Sequence, residues 1–284
     1  MMNTRSPEIP RTTMSAMRGV FRLVWRPAWR IAHGWYRRLR PYRRVISLTS
    51  LQPRGCRFVT TSHLEMLKLS SYYGERSFLQ LLLEEVKPED VVYDIGASIG
   101  LFSIHAAMAG ARVVAFEPIE VFRRRLLEHI ALNRLEVSIK VVDWAVSDQD
   151  GSAIIDRSTT RLQSTDTTKR ERADAADGTL QYAAAMLVTT RSIDSAILDN
   201  TLTAPDVMKI DIEGAEVLAL RGMSKLLNSA SSPRAIFVEL HPGGLAALGS
   251  SVDECERILL HAGYRQMIAT ERADEVHAVY VKRH

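Results

Sequence analysis

The stretch VVYDIGASIGLFSIHAAMAGARVVAFEP, residues 91–118, decides the fold. Two runs rich in β-branched residues flank a run with the composition of a helix, glycines mark the first junction, and an acid follows the second run. A strand, a glycine turn, a helix and a second strand are the repeating parts of a parallel sheet with crossover helices. The stretch therefore predicts a β-α-β unit whose strands end at Asp94 and Glu117.

The same alternation continues along the chain. SIKVVDWAVS, DVMKIDIEG and RAIFVELHP read as further strands with helices between them, and YRQMIAT and HAVYVKR as a terminal strand pair. We expect an α/β fold with a doubly wound, mostly parallel, seven-stranded Rossmann-like sheet and one antiparallel edge strand. A polar excursion at about residues 156–186 interrupts the alternation. Asn133 and Asp194 are expected to be helix caps rather than site residues.

Basic charge is concentrated at the N-terminal end. Residues 1–64 contain thirteen Arg, no Lys and one acid, a charge of +12 against +4 for the whole chain, so the remainder carries −8. Between residues 18 and 30 an Arg recurs every four residues, opposite an apolar face that includes Trp25 and Trp35. The pattern predicts a basic amphipathic helical arm over 1–64, ahead of a domain over 65–284.

Three interpretations of this arm stay open: a helix lying on an anionic membrane surface, an extension that packs on the domain or stays partly disordered, and a targeting peptide. Nucleic acid is not expected as a partner, because no recognition motif accompanies the arm and the domain does not continue its basic surface. Two cysteines favour a reducing compartment, so we expect a cytoplasmic protein, with peripheral membrane attachment as an option. The oligomeric state stays open.

The residues after each strand indicate the ligand, because ligands of open α/β sheets lie beyond the carboxyl ends of the strands. Most of the polar residues there are acids, and Ser98 stands where a dinucleotide motif would have its second glycine. A pyrophosphate is therefore disfavoured. A ligand with a cation and hydroxyls fits better, with Asp94 near the cation, Glu117 on ribose hydroxyls, Asp143 on an adenine amino group and Trp144 over the ring. S-adenosylmethionine has these features.

The segments VVYDIGASIGLFS, VVAFEP, VVDWAVSDQDG, TTRSID, MKIDIEGAEVLALRGM and FVELH resemble the FkbM-type methyltransferases over about residues 77–242. The resemblance implies a class I methyltransferase fold and transfer of a methyl group from S-adenosylmethionine to hydroxyl oxygens of sugars or polyketides. It also implies that six residues contact the cofactor: Asp94, Gly96, Ala97, Ser98, Gly100 and Glu117. Asp143 is implied less directly.

Methyl transfer to a hydroxyl requires alignment and removal of a proton, for which a general base is the usual means. The candidates are the polar residues that follow the fourth and fifth predicted strands: Asp211, Glu213, Glu239 and His241. Histidine titrates near neutrality, which suits a base, although a histidine before a proline is as often structural. Glu213 also suits the capping of the next helix. No His/Asp spacing here requires a metal ion and we assign none, but the clustered acids, Asp211 among them, leave a divalent metal open.

Two alternatives to an O-methyltransferase remain at this point. An acid after the second strand also suits the ribose of NAD, so an NAD-dependent oxidoreductase is the runner-up. A non-catalytic protein that binds adenosylmethionine at a membrane is the third. The sequence does not identify the acceptor, because specificity in such folds lies in the variable segments.

Overall fold

The computed structural model describes residues 42–52, 54–156, 162–163, 185–272 and 274–283 of the 284-residue chain. In these ranges the strands are β1 Arg44–Leu48, β2 Cys56–Thr60, β3 Val91–Ile95, β4 Arg112–Phe116, β5 Ile139–Val142, β6 Ala145–Val146, β7 Gly151–Asp156, β8 Leu162–Gln163, β9 Ala185–Arg191, β10 Val207–Ile210, β11 Ala235–Leu240, β12 Tyr264–Arg272 and β13 Glu275–Lys282. The helices are α1 His63–Ser70, α2 Arg76–Glu85, α3 Leu101–Met108, α4 Glu120–Asn133, α5 Ile193–Leu198, α6 Glu216–Arg221, α7 Ser224–Leu227, α8 Pro242–Ala247 and α9 Val252–His261.

The central sheet has the strand order β12-β13-β11-β10-β3-β4-β5 within the described ranges. The five strands from β11 to β5 are parallel, whereas β13 runs antiparallel to both β11 and β12. The sheet is the seven-stranded, mostly parallel one expected from the sequence, with the antiparallel strand next to its outermost strand. This arrangement is the class I methyltransferase fold.

Burial explains why the parallel strands are nearly continuous apolar runs. All residues of β3, β10 and β11 are buried, because helices cover both faces of the sheet. One core lies between the sheet and α5, α6, α7 and α9, and a second lies between the sheet and α2, α3 and α4. β12 is mostly exposed, as expected of an edge strand.

The chain order reverses between β3 and β10. From β3 the chain proceeds outward through β4 to β5, and it later returns to form β10 and β11 on the other side of β3. A crevice is therefore expected at the carboxyl ends of β3 and β10, where the flanking crossovers diverge.

A hairpin of β1 and β2 packs on this domain and corrects the predicted boundary at residue 64. Phe58 is fully buried, lies over the His105 ring at 6.0 Å between centroids, and meets the His129 ring edge-on at 5.1 Å. The folded domain thus begins before residue 65. The amphipathic part of the predicted arm, residues 18–35, lies outside the described residues.

Asn133 fastens this hairpin rather than capping α4. Its Oδ1 accepts a hydrogen bond from the Arg57 amide at 2.8 Å, and its Nδ2 donates to the Arg57 carbonyl at 2.7 Å. Arg134 takes the left-handed position that ends α4. Asp194 does act as a cap, but its carboxylate accepts from the amides of Lys225 and Leu226 in α7, and Ser192 caps α5.

The predicted third strand, SIKVVDWAVS, is two strands in different sheets. β5 ends at Val142, and β6 joins a smaller sheet with the order β6-β9-β7-β8 among the described strands. Most of the predicted excursion, residues 157–161 and 164–184, lies outside the described residues, and the described ends of that segment belong to this smaller sheet. None of the helices in the described ranges combines the length and hydropathy needed to cross a bilayer.

Candidate active site

A cleft of about 250 Å³ opens at the carboxyl ends of β3, β4 and β10. It is lined by Ile95, Gly96, Ser98, Phe116, Glu117, Pro118, Ile119, Phe122, Trp144, Ala145, Val146, Ile155, Asp211, Ile212 and Glu213. One part of this lining is apolar and the other carries three carboxylates. The predicted residues Gly96, Ser98, Glu117, Trp144, Asp211 and Glu213 therefore meet in one cleft.

The glycine turn after β3 forms one wall of the cleft. Gly96 has a φ of +84°, and a Cβ on it would lie 1.8 Å from the Asp211 carbonyl oxygen, so no other residue fits. The amides of Gly96 and Ala97 both donate to the Phe116 carbonyl, at 3.1 and 3.0 Å. Gly100, with a φ of +92°, begins α3. The turn is thus held against the end of β4 and against the residue after β10.

Glu117 is the buried acid of the cleft. Its Oε2 accepts from the Ser98 amide at 2.8 Å and its Oε1 accepts from the Ile119 amide at 2.7 Å. Burial raises the pKa of this carboxyl to about 7, although both amide hydrogen bonds oppose the shift. Each oxygen retains a lone pair for a further donor, as binding of two ribose hydroxyls requires.

Asp94 lies beneath the cleft rather than in its lining. Its Oδ2 accepts from the amide and the hydroxyl of Ser103, at 3.0 and 2.5 Å, and so fastens the first turn of α3. Its Oδ1 has no hydrogen bond among the described residues and lies 3.7 Å from Nζ of Lys209. Asp94 thus supports the first turn of α3, and its direct contact with a bound cation stays a prediction.

Lys209 is a site residue that the sequence analysis missed. It is almost fully buried, and its Nζ lies 3.0 Å from Asp211 Oδ2 and 3.3 Å from the Gly96 carbonyl oxygen. Burial would lower its pKa, but the charges of Asp211 and Asp94 outweigh burial and raise it. A lone lysine within the buried apolar strand VMKI was the available signal.

The predicted pair Asp143 and Trp144 separates in the structure. Trp144 is buried, lines the cleft and meets the Phe116 ring edge-on at 5.1 Å. Asp143 is exposed and is not part of the lining. β5 ends one residue earlier, at Val142, and of the two residues that follow only Trp144 is buried. Phe122 and Ile155, which the sequence analysis did not select, complete the apolar wall.

The catalytic candidates converge at one end of the cleft. His241 Nε2 lies 3.9 Å from Asp211 Oδ1 and 3.8 Å from Glu213 Oε2, and His241 Nδ1 lies 2.9 Å from Oε1 of Glu216. Glu216 is fully buried and also accepts from the Gly214 amide at 2.9 Å. Glu216 therefore satisfies an amide next to α6, and Glu213 lines the cleft.

The surroundings of His241 make it a cation at neutral pH. Burial alone would lower its pKa, but the hydrogen bond to Glu216 and the charges of Glu216, Asp211 and Glu213, in that order, raise the pKa to about 9. In this state the imidazole lacks a free lone pair, so it does not suit the role of a base near neutrality that its residue type suggested.

Glu239 belongs to a neighbouring group rather than to the cleft. Its Oε2 lies 3.1 Å from His277 Nε2, which is also 3.1 Å from Glu275 Oε1. Arg272 completes this group, 2.7 Å from Glu75 Oε1. Burial and the charge of Glu239 raise the pKa of Glu75 to about 7.

Loss of the Lys209 ammonium should strongly destabilise the fold. We expect Lys209→Met to lower the free energy of unfolding by about 3–5 kcal/mol, because it leaves the buried Asp94 carboxylate without its cation. Urea unfolding followed by circular dichroism measures this effect. The exposed Lys225→Met is the matched control and should change stability by less than about 0.5 kcal/mol. Equal free energies of unfolding for the two variants would show that the ion pairs of Lys209 do not stabilise the fold.

Comparisons with known proteins agree with this arrangement. Residues 94–266, more than half of the chain, match the model of the methyltransferase FkbM domain. Hexuronic acid methyltransferase AglP of Haloferax volcanii is 29% identical over 193 residues, which are 66% of this chain and 72% of that protein. AMB antimetabolite synthetase AmbE of Pseudomonas aeruginosa is 28% identical over 210 residues, 64% of this chain but 10% of AmbE.

Similar solved structures include a precorrin-6y C5,15-methyltransferase from Geobacter metallireducens, with 16% identity and a TM-score of 0.42 over 73% of this chain and 88% of that one. The Methanococcus jannaschii fibrillarin pre-rRNA processing protein has 15% identity and a TM-score of 0.39 over 69% of this chain and 67% of its own. The family match sets aside the oxidoreductase and non-catalytic alternatives. The chain belongs to the FkbM methyltransferase family and is an enzyme whose methyl donor is S-adenosylmethionine.

Proposed function

We propose that this enzyme methylates a hydroxyl oxygen of a sugar. The observation that carries the proposal is the Asp211 carboxylate at the end of β10, which lines the cleft beside the glycine turn and is anchored through its Oδ2 by Lys209. The name of the Haloferax volcanii relative, a hexuronic acid methyltransferase, supports a sugar as the acceptor class.

The cleft suits the cofactor of the family. Glu117 has two oxygens available for ribose hydroxyls, the Gly96 turn has no side chain to obstruct close approach, and Phe122, Ile155 and Trp144 offer an apolar slot for a purine ring. When bound, S-adenosylmethionine supplies a methyl group made electrophilic by its sulfonium charge. The protein then has to orient the acceptor and remove the proton from its hydroxyl.

Asp211 is the residue that we assign to the acceptor. Its Oδ2 is engaged by Lys209, and its Oδ1 remains available on the side of the cleft. This oxygen can accept the acceptor's hydroxyl proton as the hydroxyl oxygen forms its bond to the methyl carbon and the carbon–sulfur bond breaks. His241 and Glu213 lie within 4 Å of Asp211 or of each other, and we assign them to orienting the acceptor.

The charge of the site favours a hydroxyl over a free carboxylate as the acceptor group. Among the described residues that line or touch this end of the cleft, carboxylates outnumber cations: Asp211, Glu213 and Glu216 stand against Lys209 and His241. An anionic acceptor would be repelled at short range, whereas a neutral hydroxyl donates to a carboxylate.

Methyl transfer tests the proposal directly. We expect the purified full-length chain to transfer labelled methyl groups from S-adenosylmethionine to methyl glycosides of hexoses and hexuronic acids. We also expect the product to be a methyl ether, stable to mild alkali and identified by NMR. Asp211→Asn should reduce turnover by at least about 10²-fold, the lower range for a placed general base.

Two controls sharpen this assay. Asp143→Asn alters an exposed acid outside the cleft lining and should retain turnover near that of the wild type. An alkali-labile methyl ester as the product would contradict the hydroxyl assignment, and full turnover by Asp211→Asn would remove Asp211 from the chemistry.

Cofactor affinity should depend on pH through Glu117. The ionised carboxylate is the form that accepts two hydroxyls, and its pKa of about 7 means that this form is lost as pH falls. We expect the affinity for S-adenosylhomocysteine to be constant above about pH 8 and to fall toward about tenfold per pH unit below 7. Calorimetry between pH 6 and 8.5 measures this dependence.

The Glu117→Gln variant should bind S-adenosylhomocysteine about 1.5–3 kcal/mol more weakly than the wild type at pH 8. Its affinity should also no longer change with pH. The exposed Glu120→Gln, at the start of α4, serves as the control and should retain the wild-type profile. A wild-type affinity that does not change with pH would show that the ribose hydroxyls do not bind to Glu117.

The basic arm remains a separate proposal. Residues 1–41, which precede the described part of the chain, contain nine of the thirteen N-terminal arginines, and we propose that they contact an anionic lipid surface. Both cysteines are buried free thiols, and we retain the cytoplasm as the proposed location.

Removal of residues 1–41 tests the arm. A chain of residues 42–284 keeps the described hairpin and core, so it should bind S-adenosylhomocysteine as the full chain does. It should no longer float with anionic vesicles, and flotation of the full chain should weaken as salt rises. Equal flotation of the two chains would contradict the proposal.

A further inference from the structure

Three possible metal ligands come together at the end of the cleft. Asp211, Glu213 and His241 each offer one donor atom, and these three atoms lie within 4.8 Å of one another. Asp211 and Glu213 follow β10 and line the cleft, whereas His241 follows β11. The two strands are adjacent and parallel, so their carboxyl ends bring the donors to the same edge of the sheet.

The His241 ring is oriented as in metal sites. Its Nδ1 is engaged by the fully buried Glu216 at 2.9 Å, which directs Nε2 toward the carboxylates. Histidines that bind metals commonly donate their other ring N–H to a carboxylate in this way. The His241 side chain is 9% exposed, and its Nε2 makes no hydrogen bond with any described residue.

The gap around Nε2 has the size of a cation's coordination shell. Three carboxylate oxygens surround it at 3.8 to 3.9 Å, from Asp211, Glu213 and Glu275. These separations are too long for hydrogen bonds. Two donors that each lie about 2.0–2.2 Å from a shared ion are separated by roughly 3 to 4.4 Å. The separations between Nε2 and these carboxylate oxygens fall within that range.

The neighbouring acidic group provides a contrast within the same molecule. There the imidazole nitrogen of His277 already lies 3.1 Å from Glu239 and from Glu275, and Arg272 brings a guanidinium to 3.2 Å. In that group the Arg272 guanidinium supplies the positive charge, and the imidazole nitrogen of His277 has no open position. The two groups thus differ in how closely carboxylates approach the imidazole nitrogen, although Glu239 Oε1 and Glu75 Oε2 of the neighbouring group are buried without a hydrogen bond among the described residues.

We propose that Asp211, Glu213 and His241 bind a divalent cation. The cation displaces the proton that His241 Nε2 carries at neutral pH when no metal is bound. One imidazole and several carboxylate oxygens suit Mn²⁺ better than Mg²⁺, because Mg²⁺ prefers oxygen ligands alone. Glu216 is then a positioning residue that acts through His241. If the proposed function holds, the cation can bind the acceptor oxygen and make its hydroxyl more acidic, and with Oδ1 of Asp211 engaged as a ligand the proton then leaves to water. Cation binding itself does not depend on that function.

Cation binding can be measured without any turnover. We propose titrating the full-length protein, freed of metal by chelator, with MnCl₂ and following free Mn²⁺ by electron paramagnetic resonance. The wild type should show one saturable site. His241→Ala and Glu213→Gln should each weaken it by at least tenfold, the lower range for loss of a ligand or its support. Mg²⁺ should compete more weakly than Mn²⁺ binds.

Controls separate this site from general binding to acids and from misfolding. The exposed Glu271→Gln on β12 should retain the wild-type affinity, as should His277→Gln if the neighbouring group holds no ion. The Glu213 side chain is 43% exposed, so Glu213→Gln should fold normally, which binding of S-adenosylhomocysteine confirms.

Two results would overturn the proposal. One is the absence of saturable Mn²⁺ binding, which would leave a protonated histidine among the acids as the whole explanation. The other is an affinity unchanged in both His241→Ala and Glu213→Gln, or lost only in His277→Gln, which would assign the ion elsewhere. A lack of methyl transfer to sugars would contradict the proposed function and leave this binding result intact.

Discussion

The buried ammonium group of Lys209 is the constraint on which the site depends. Lys209 pairs with Asp94 in the register of β10 and β3, and it precedes Asp211 by two residues on the same face of the strand. A single charge in this position would cost several kcal/mol, so the ion pairs must form together. Because Lys209 also donates to the Gly96 carbonyl, the glycine turn and the end of β10 are held as one unit.

The two ends of the cleft follow from this unit. Toward β4, the turn donates its Ser98 amide to Glu117 and leaves an apolar slot beside Trp144. Toward β11, Asp211 faces an imidazole that the buried Glu216 holds from the other side. A ligand with a ring, two hydroxyls and a positive charge fits the first part, and a polar acceptor fits the second. The proposed cofactor site and the proposed proton acceptor therefore share one framework.

Local patterns predicted the acids of the cleft better than their roles. Glu117 and Asp211 follow apolar strands, and both line the cleft as expected. Asp94 follows the same rule but is buried, because Ser103 and Lys209 offer it partners that only the packed helix and the neighbouring strand bring near. The prediction that Asn133 caps a helix was wrong for a similar reason, because its hydrogen-bond partner Arg57 is 76 residues away in the chain.

The sequence by itself determined the alternation of strands and helices, the parallel sheet and the need for glycine beside the ligand. These properties depend on periodicity, burial and backbone freedom within short segments. Only the tertiary structure decided that Lys209 joins two acids, that Glu216 holds His241, and that this imidazole is a cation at neutral pH. Charge states and distances between donors depend on groups that distant segments bring together, and no local pattern contains that information.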